Sequence, residues 1–261
     1  MGAEQYLDWL LRIAETWPKK MKQSGSIVLN TADVYNPGEP TLSLYQERLL
    51  VRFADDLGWR LARRYSWHNP AKLPTPAAWV TINRVRCKSS LEQLYWLAPH
   101  GEPYADNRQV LTEYSDAMLA RLAAGGEKKR ARPSGHQLAD GAFSIDNGGA
   151  IPGNLLTAAN TSSNDSYQRR CRELGLPVHP ARFPAELPSH FIQLCTRPGE
   201  IVMDPFSGSF QTGAVAEKLG RKWIGVELNA EYIAGGATRF PHATIHQPGL
   251  LERLTVPDAL F

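Results

Sequence analysis

The stretch that decides the fold is Ile201-Val202-Met203-Asp204-Pro205-Phe206-Ser207-Gly208-Ser209-Phe210-Gln211-Thr212-Gly213, followed by Lys222-Trp223-Ile224-Gly225-Val226-Glu227. The apolar run before Asp204 predicts a strand, residues 214–219 predict a helix, and residues 222–226 predict a second strand. In such an α/β unit a ligand binds beyond the carboxyl ends of the strands, where a small residue lets the backbone approach it closely. We therefore expect a ligand site at residues 204–209, with Gly208 as the point of closest approach.

The acid that ends the second strand indicates a nucleoside ligand. Glu227 is placed to accept hydrogen bonds from ribose hydroxyls, which would serve a nicotinamide dinucleotide and S-adenosylmethionine alike. A pyrophosphate cradle needs the G-x-G-x-x-G pattern, but here the bulky Phe210 follows Ser209. Asp204 would also repel a pyrophosphate, whereas it suits the cationic groups of S-adenosylmethionine. The residues favour S-adenosylmethionine as the cofactor, and a nicotinamide-dependent oxidoreductase is the alternative.

Upstream of this unit, predicted helices and strands alternate. Apolar residues recur at helical spacing over residues 5–17 and 41–58, and short apolar runs at 26–30, 59–67 and 91–97 predict strands. The run at 26–30 has the composition of a buried parallel strand. The alternation predicts an α/β sheet.

Residues 99–177 lose this periodicity and are rich in Gly, Ser, Asn and Arg. A long irregular stretch inside a compact enzyme is usually a binding element, so we expect an insertion here. Lys128, Lys129, Arg130 and Arg132 form a basic cluster within it, which indicates either phosphate contacts or a solvated loop.

Composition excludes several classes of protein. The chain is 43% hydrophobic and 21% charged, which is typical of a globular enzyme, and its net charge of +3 does not by itself indicate a nucleic-acid binder. Its three cysteines lack paired metal-ligand spacing, so we expect neither disulfides nor a metal site. Neither a membrane-spanning run nor a signal peptide is present, and we expect a cytoplasmic protein.

Several motifs, taken together, resemble those of one enzyme family. Residues 204–213 with 221–232 look like the cofactor motif and the following acidic motif of amino-methylating DNA methyltransferases. The segment His179-Pro180-Ala181-Arg182-Phe183-Pro184 is similar to the one that closes over the methionine end of the cofactor in that family. Segments 67–74, 132–136, 146–149 and 151–156 are similar, in order, to PvuII-type cytosine-N4 methyltransferases.

The resemblance implies a doubly wound, Rossmann-like methyltransferase sheet with an inserted target-recognition region. It implies a catalytic-side part at 1–98, target recognition at 99–177, an S-adenosylmethionine-binding part at 178–241 and a tail at 242–261. Double-stranded DNA would be the partner. The implied cofactor-binding residues are His179, Pro180, Phe183, Pro184, Asp204, Pro205, Phe206, Ser207, Gly208, Ser209, Glu227 and Leu228.

One family motif does not occur in the chain. The Ser-Pro-Pro-aromatic or Asp-Pro-Pro-aromatic tetrapeptide, which orients the target amine, is absent, so no catalytic residue is assigned and we expect a sheet that is incomplete at its amino-terminal side. A truncated gene product, a fragment completed by a second polypeptide and a degenerate, inactive enzyme are the three explanations. Trp67, His68 and Asn69 are the remaining candidates for a target-base pocket, although Trp67 could equally be a packing residue.

The expected reaction is methyl transfer from S-adenosylmethionine to N4 of cytosine in a specific duplex sequence, in a restriction-modification or related system. Adenine-N6 transfer and a non-catalytic DNA- or cofactor-binding remnant are the alternatives, since the residue that discriminates between the bases lies in the absent tetrapeptide.

Overall fold

The structure, a computed structural model, describes residues 2–127, 139, 141–161 and 165–240. Two compact units are distinguished, one containing Met1–Ala105 and Asn154–Phe261, the other Asp106–Gly153. Lys128, Lys129, Arg130 and Arg132 lie outside the described residues, as does the tail at 242–261, so those predictions remain predictions.

Six strands and seven helices are found in the described part of the chain. In order they are α1 (Ala3–Ala14), β1 (Ile27–Thr31), α2 (Tyr45–Asp55), β2 (Arg60–His68), β3 (Leu91–Ala98), α3 (Asp116–Ala123), β4 (Leu155–Thr157), α4 (Ser166–Glu173), α5 (Glu186–Cys195), β5 (Ile201–Asp204), α6 (Gln211–Lys218), β6 (Lys222–Gly225) and α7 (Ala230–Ala237). Short 3-10 helices occur at Pro18–Lys20 and Asn107–Val110, and a π-helical turn at Ala78–Ile82.

The strands of the larger unit form two sheets. The first has the order β1-β3-β2-β4, with β3 antiparallel to both neighbours and β4 parallel to β2. The second pairs β5 with β6 in parallel. The prediction of a parallel strand at residues 26–30 was wrong, because β1 pairs only with the antiparallel β3 among the described strands. Since β1 and β2 both run opposite to β3, their carboxyl ends lie at the same edge.

One core lies between α1, α2 and the β1–β3 face. Leu7, Leu10 and Leu11 follow the helical spacing of α1 and are buried, and each contributes about 1.5–3 kcal/mol by leaving water. Phe53 of α2 stacks on Trp59 with ring centroids 4.8 Å apart. This packing holds α1 and α2 against the sheet face formed by β1, β2 and β3.

Helix α5 connects the two sheets. On one side Phe191 meets the ring of Tyr65 on β2, with centroids 5.1 Å apart. On the other, Ile192 packs in a cluster with Val215 and Ala216 of α6. Consecutive residues of one helix therefore hold the β2 side and the β5–β6 side together.

The smaller unit, Asp106–Gly153, contains α3 and two isolated bridges, Thr112 with Ala150 and Glu127 with Ala142. The rest of the region predicted to be irregular belongs to the larger unit and contains β4 and α4, which the sequence pattern did not predict. None of the described helices is long and apolar enough to cross a membrane.

Candidate functional site

The loop after β5 is shaped by Asp204. Its side-chain Oδ1 accepts a hydrogen bond from the backbone N–H of Phe206 at 3.0 Å, and its Oδ2 accepts one from the Thr212 hydroxyl at 2.6 Å. The Ser207 hydroxyl donates to the Asp204 carbonyl at 2.8 Å. Asp204 thus organises the turn that leads from the strand into α6.

Glu227 joins this turn to the loop after β6. One carboxylate oxygen accepts from the N–H of Gly208 at 2.9 Å, and the other accepts from the N–H of Asn229 at 2.9 Å. A carboxylate has about four lone-pair positions, so two bonds leave capacity for ribose hydroxyls. Glu227 is therefore held in place and can still accept hydrogen bonds from a ligand.

Gly208 is required by a close approach of the His179 ring. Its φ is +49°, and a Cβ there would lie 2.8 Å from Cε1 of His179. The His179 ring is itself fixed, since Nδ1 is 2.8 Å from the Ala181 carbonyl oxygen and the Tyr232 ring packs edge-on at 4.6 Å. The segment 179–184 therefore lies directly against the predicted cofactor loop.

The remaining predicted cofactor residues differ in exposure. Ser207, Ser209 and Pro184 are buried, Pro205 and Phe183 are half-buried, and Pro180 is exposed. Leu228 is 99% exposed, and Phe206 is exposed with its ring centroid 5.8 Å from that of Trp9. Apolar side chains at the mouth of a site offer surface on which a flat adenine ring can be buried.

A cluster that the sequence did not predict supports the loop from behind. The Arg239 Nε donates to the Ser209 carbonyl at 2.8 Å, and its guanidinium lies 4.5 Å above the Tyr167 ring. Asp165 faces Arg239 at 3.5 Å, and the Tyr167 hydroxyl accepts the His179 N–H at 3.1 Å. Burial lowers the pKa of Arg239, and Asp165 opposes that shift.

Helix α4 supplies two members of this cluster. The sequence contains a local signal for this helix. Asp165 is a typical N-cap residue and accepts from the Gln168 N–H at 2.8 Å. Tyr167 and Cys171 have the i, i+4 spacing of a buried helix face.

The bulky Phe210, which follows Ser209, fits into the protein without disturbing the loop. Its φ is +57° and it is 8% exposed. The ring fits into space left by two glycines, since a Cβ at Gly225 would lie 2.6 Å from Phe210 Cε1 and one at Gly236 would lie 2.9 Å from Cγ. The bulky ring therefore points into the protein and not into the site.

The structure gives Trp67 and Asn69 packing contacts. Trp67 is 3% exposed and its indole N–H donates to the Ala158 carbonyl at 2.8 Å. The Asn69 Oδ1 accepts from the N–H groups of Ala71 and Asn160, at 3.1 and 3.3 Å, and His68 is half-buried. These contacts account for both residues, and a role in a base pocket stays a prediction. The described residues contain no group of side chains that could hold a metal ion.

Comparisons with known proteins fit this geometry. A family model described as DNA methylase, of the N6/N4 type, matches residues 2–238. The type II methyltransferase M.PvuII of Proteus hauseri is 42% identical over 239 residues, covering 90% of this chain and 70% of that protein. The DNA adenine methyltransferase YhdJ of Escherichia coli (strain K12) is 50% identical over 247 residues, covering 92% and 68%. The solved structure of the PvuII cytosine-N4-specific DNA methyltransferase matches with a TM-score of 0.74 at 34% identity, over 96% of this chain and 76% of that one.

Proposed function

The chain belongs to the N6/N4 DNA methylase family, and we propose that it transfers a methyl group from S-adenosylmethionine to the N4 amino group of cytosine in duplex DNA. The predicted resemblance to the PvuII type and the predicted Rossmann-like fold are both confirmed. The enzyme class, an amino-methylating DNA methyltransferase, and S-adenosylmethionine as its cofactor follow from the family. Cytosine as the target base is the specific proposal.

The observation that carries the cofactor site is the contact of Glu227 and His179 with Gly208, and the similarity to the PvuII cytosine-N4-specific enzyme supports cytosine as the base. The loop leaves no room for a side chain at Gly208, and the carboxylate is fixed by two backbone N–H groups. This arrangement fits a nucleoside whose ribose hydroxyls bond to Glu227. Phe206 and Leu228 would contact the adenine, and the 179–184 segment would cover the methionine end.

The reaction is a direct displacement. The amine nitrogen would take the methyl group from the sulfonium, S-adenosylhomocysteine would leave with the bonding electron pair, and the proton lost by the nitrogen would pass to water. When bound, S-adenosylmethionine supplies a methyl group activated by positively charged sulfur. The Asp204 carboxylate at the end of β5 would favour a cationic ligand over a phosphate.

The acceptor that orients the target amine is not supplied by a Pro-Pro tetrapeptide of these 261 residues. We propose that it comes from a second polypeptide or from further residues of the same protein. The sheets leave room for further strands, since the outer strands β1, β4, β5 and β6 each have one edge without a strand partner among the described residues. We also propose that residues 99–177 recognise the target, that Lys128, Lys129, Arg130 and Arg132 contact phosphates, and that the enzyme acts in the cytoplasm.

Adenine is the second candidate base, because an adenine methyltransferase is among the relatives at 50% identity. Adenine also presents an exocyclic amine, so the same cofactor site would serve it.

The test combines cofactor binding with product analysis. The purified chain is titrated with S-adenosylmethionine by calorimetry and incubated with unmethylated duplex DNA. Both measurements are repeated with a chain extended by the residues encoded upstream. Nucleoside digests analysed by mass spectrometry distinguish N4-methylcytosine from N6-methyladenine. N6-methyladenine would replace cytosine by adenine in the proposal, and cofactor binding without transfer under any condition would indicate a non-catalytic remnant.

A matched pair of variants distinguishes an effect at the proposed cofactor site from the general effect of losing one carboxylate. Glu227→Gln alters the proposed ribose acceptor, whereas Glu102→Gln removes one exposed carboxylate that forms no hydrogen bond or ion pair within the described residues. We expect weaker cofactor binding only for the first. Absence of binding by the unaltered chain would refute the cofactor site itself.

A further inference from the structure

Positive charge is concentrated in one part of the sequence. No Asp or Glu occurs between Asp56 and Glu92, although the whole chain has a net charge of only +3. Seven cations lie in that interval: Arg60, Arg63, Arg64, Lys72, Arg84, Arg86 and Lys88. A single-sign segment of this kind attracts a polyanion.

Three of these cations lie on an exposed loop between β2 and β3, within residues 84–88, which we call the basic segment. Arg84, Arg86 and Lys88 are all exposed, and none forms an ion pair within the described residues. The bonds of Arg86 go to the carbonyls of Pro40 and Val85, and those of Lys88 go to other backbone carbonyls. These bonds hold the side chains but leave their charge uncompensated.

Apolar side chains on the same loop are unusually exposed. Ile82 is 73% exposed and Val85 is 50% exposed, on either side of Arg84. Exposed apolar groups beside unpaired cations suit a partner that has both a charged backbone and apolar faces, and nucleic acid has both.

The loop begins close to the cofactor site. Asn69, directly after β2, accepts from the N–H of Asn160 at 3.3 Å, and the Asn160 side chain donates to the carbonyl of Arg182 at 2.6 Å. Arg182 belongs to the 179–184 segment that lies against Gly208. Two hydrogen bonds thus connect the start of the loop to the cover of the cofactor loop.

We propose that the basic segment binds the phosphates of the duplex beside the target base, with Ile82 and Val85 against the sugars or base edges. The inference rests on the proposed DNA substrate and names cations other than those at residues 128–132. Neutralising a phosphate releases counterions, so each cation that contacts DNA raises the salt dependence of binding.

The first experiment compares two triple variants with equal loss of charge. Arg84→Gln, Arg86→Gln and Lys88→Gln remove the three charges while keeping side-chain donors for the loop carbonyls. Arg12→Gln, Lys19→Gln and Lys20→Gln remove three exposed charges at the end of α1 and just after it, before β1 begins.

Binding to a fluorescent unmethylated duplex of mixed sequence is measured by anisotropy across a salt series. The slope of log affinity against log salt is expected to become less steep by about 2 to 3 for the loop variant, since each phosphate contact contributes about 0.9. The α1 variant is expected to keep the slope of the unaltered chain. Equal slopes for the loop variant and the unaltered chain would overturn the proposal.

Cys87 provides a readout that needs no substitution. This thiol is exposed between Arg86 and Lys88, whereas Cys171 and Cys195 are buried. Saturating duplex is expected to slow alkylation of Cys87 several-fold, with the two buried thiols unreactive throughout. An unchanged rate at Cys87 would contradict contact at this loop.

The outcomes separate this inference from the proposed function. Loop-dependent DNA binding by a chain that fails to bind S-adenosylmethionine would support the inference and refute the function. Normal cofactor binding with a DNA affinity that does not depend on the basic segment would refute the inference and leave the proposed function standing. A chain that binds no duplex would refute the inference together with the proposed DNA substrate.

Discussion

The fit of Phe210 against Gly236 gives the sharpest test of how the cofactor loop is built. A methyl group at Gly236 would overlap the Phe210 ring, with Cγ only 2.9 Å away, well inside the 3.5–4.0 Å of a favourable carbon contact. The ring has little freedom to move, because it is buried and Gly225 lies against its other edge. Gly236→Ala is therefore expected to destabilise the protein by about 2 kcal/mol, as overpacking does.

Removing the Phe210 ring should reverse the sign of the effect that Gly236→Ala has on the free energy of unfolding. Phe210→Ala is expected to cost about 4 kcal/mol through lost burial and a cavity. In that background the methyl group of Gly236→Ala enters the cavity, and alanine is favoured over glycine within α7 by about 1 kcal/mol. The two substitutions should consequently be coupled by about 3 kcal/mol, with the double variant more stable than Phe210→Ala alone.

The assay is urea-induced unfolding of the four proteins of the cycle, monitored by far-ultraviolet circular dichroism. Equal m-values would show that the free energies of unfolding are comparable. If Gly236→Ala destabilises both backgrounds by the same amount, the ring does not occupy this space, and the account of Phe210 given above is wrong.

Substitutions at Glu227, Arg239 and His190 test the site, its support and the burial of a histidine in α5. Glu227→Gln should weaken S-adenosylmethionine binding by about tenfold to a hundredfold in calorimetry, because hydrogen bonds to a charged acceptor contribute about 1.5–3 kcal/mol. Arg239→Met removes the donor to the Ser209 carbonyl and should weaken cofactor binding, and Arg239→Lys should restore part of it. Burial lowers the pKa of His190 in the folded protein, so the unfolded chain binds the proton at a higher pH than the folded chain does. The contribution of His190 to the free energy of unfolding is therefore fully present above about pH 6.5 and is lost as the pH drops below that value. Urea unfolding at about pH 7.5 and pH 5.5 should show this loss in the unaltered chain and a smaller one in His190→Gln, and equal losses would contradict it.

The cofactor loop could be predicted from sequence because its determinants are local. A strand, a turn, a helix and a following acid occupy residues 201–227, and both strands are found where the pattern predicts them, whereas α6 begins three residues before the predicted start. The direction of β1 could not be predicted in the same way. An apolar run of five residues fits a parallel or an antiparallel neighbour equally, and only the pairing with β3 decides between them.

The support of the loop could not be predicted, because its members are far apart in sequence. Asp165, Tyr167 and Arg239 come together only when α4 packs near the end of α7, and no local spacing encodes that contact. For Trp67 the sequence left packing and pocket roles equally open, and in the structure its buried indole N–H is satisfied by the carbonyl of Ala158, 91 positions away.

Non-local support also changes how departures from the family motif should be judged. Phe210 and Gln211 stand where the resemblance implies glycine, asparagine or threonine, and a local comparison would suggest a damaged loop. The space for its ring, however, comes from Gly225 and Gly236, which lie outside the motif itself. The hydrogen bonds of Asp204 and Glu227 to the loop are retained beside it. Because its neighbours make room for the ring, the proposed cofactor loop keeps its hydrogen bonds, and Phe210 is better explained by an alternative packing of the loop than by decay of the site.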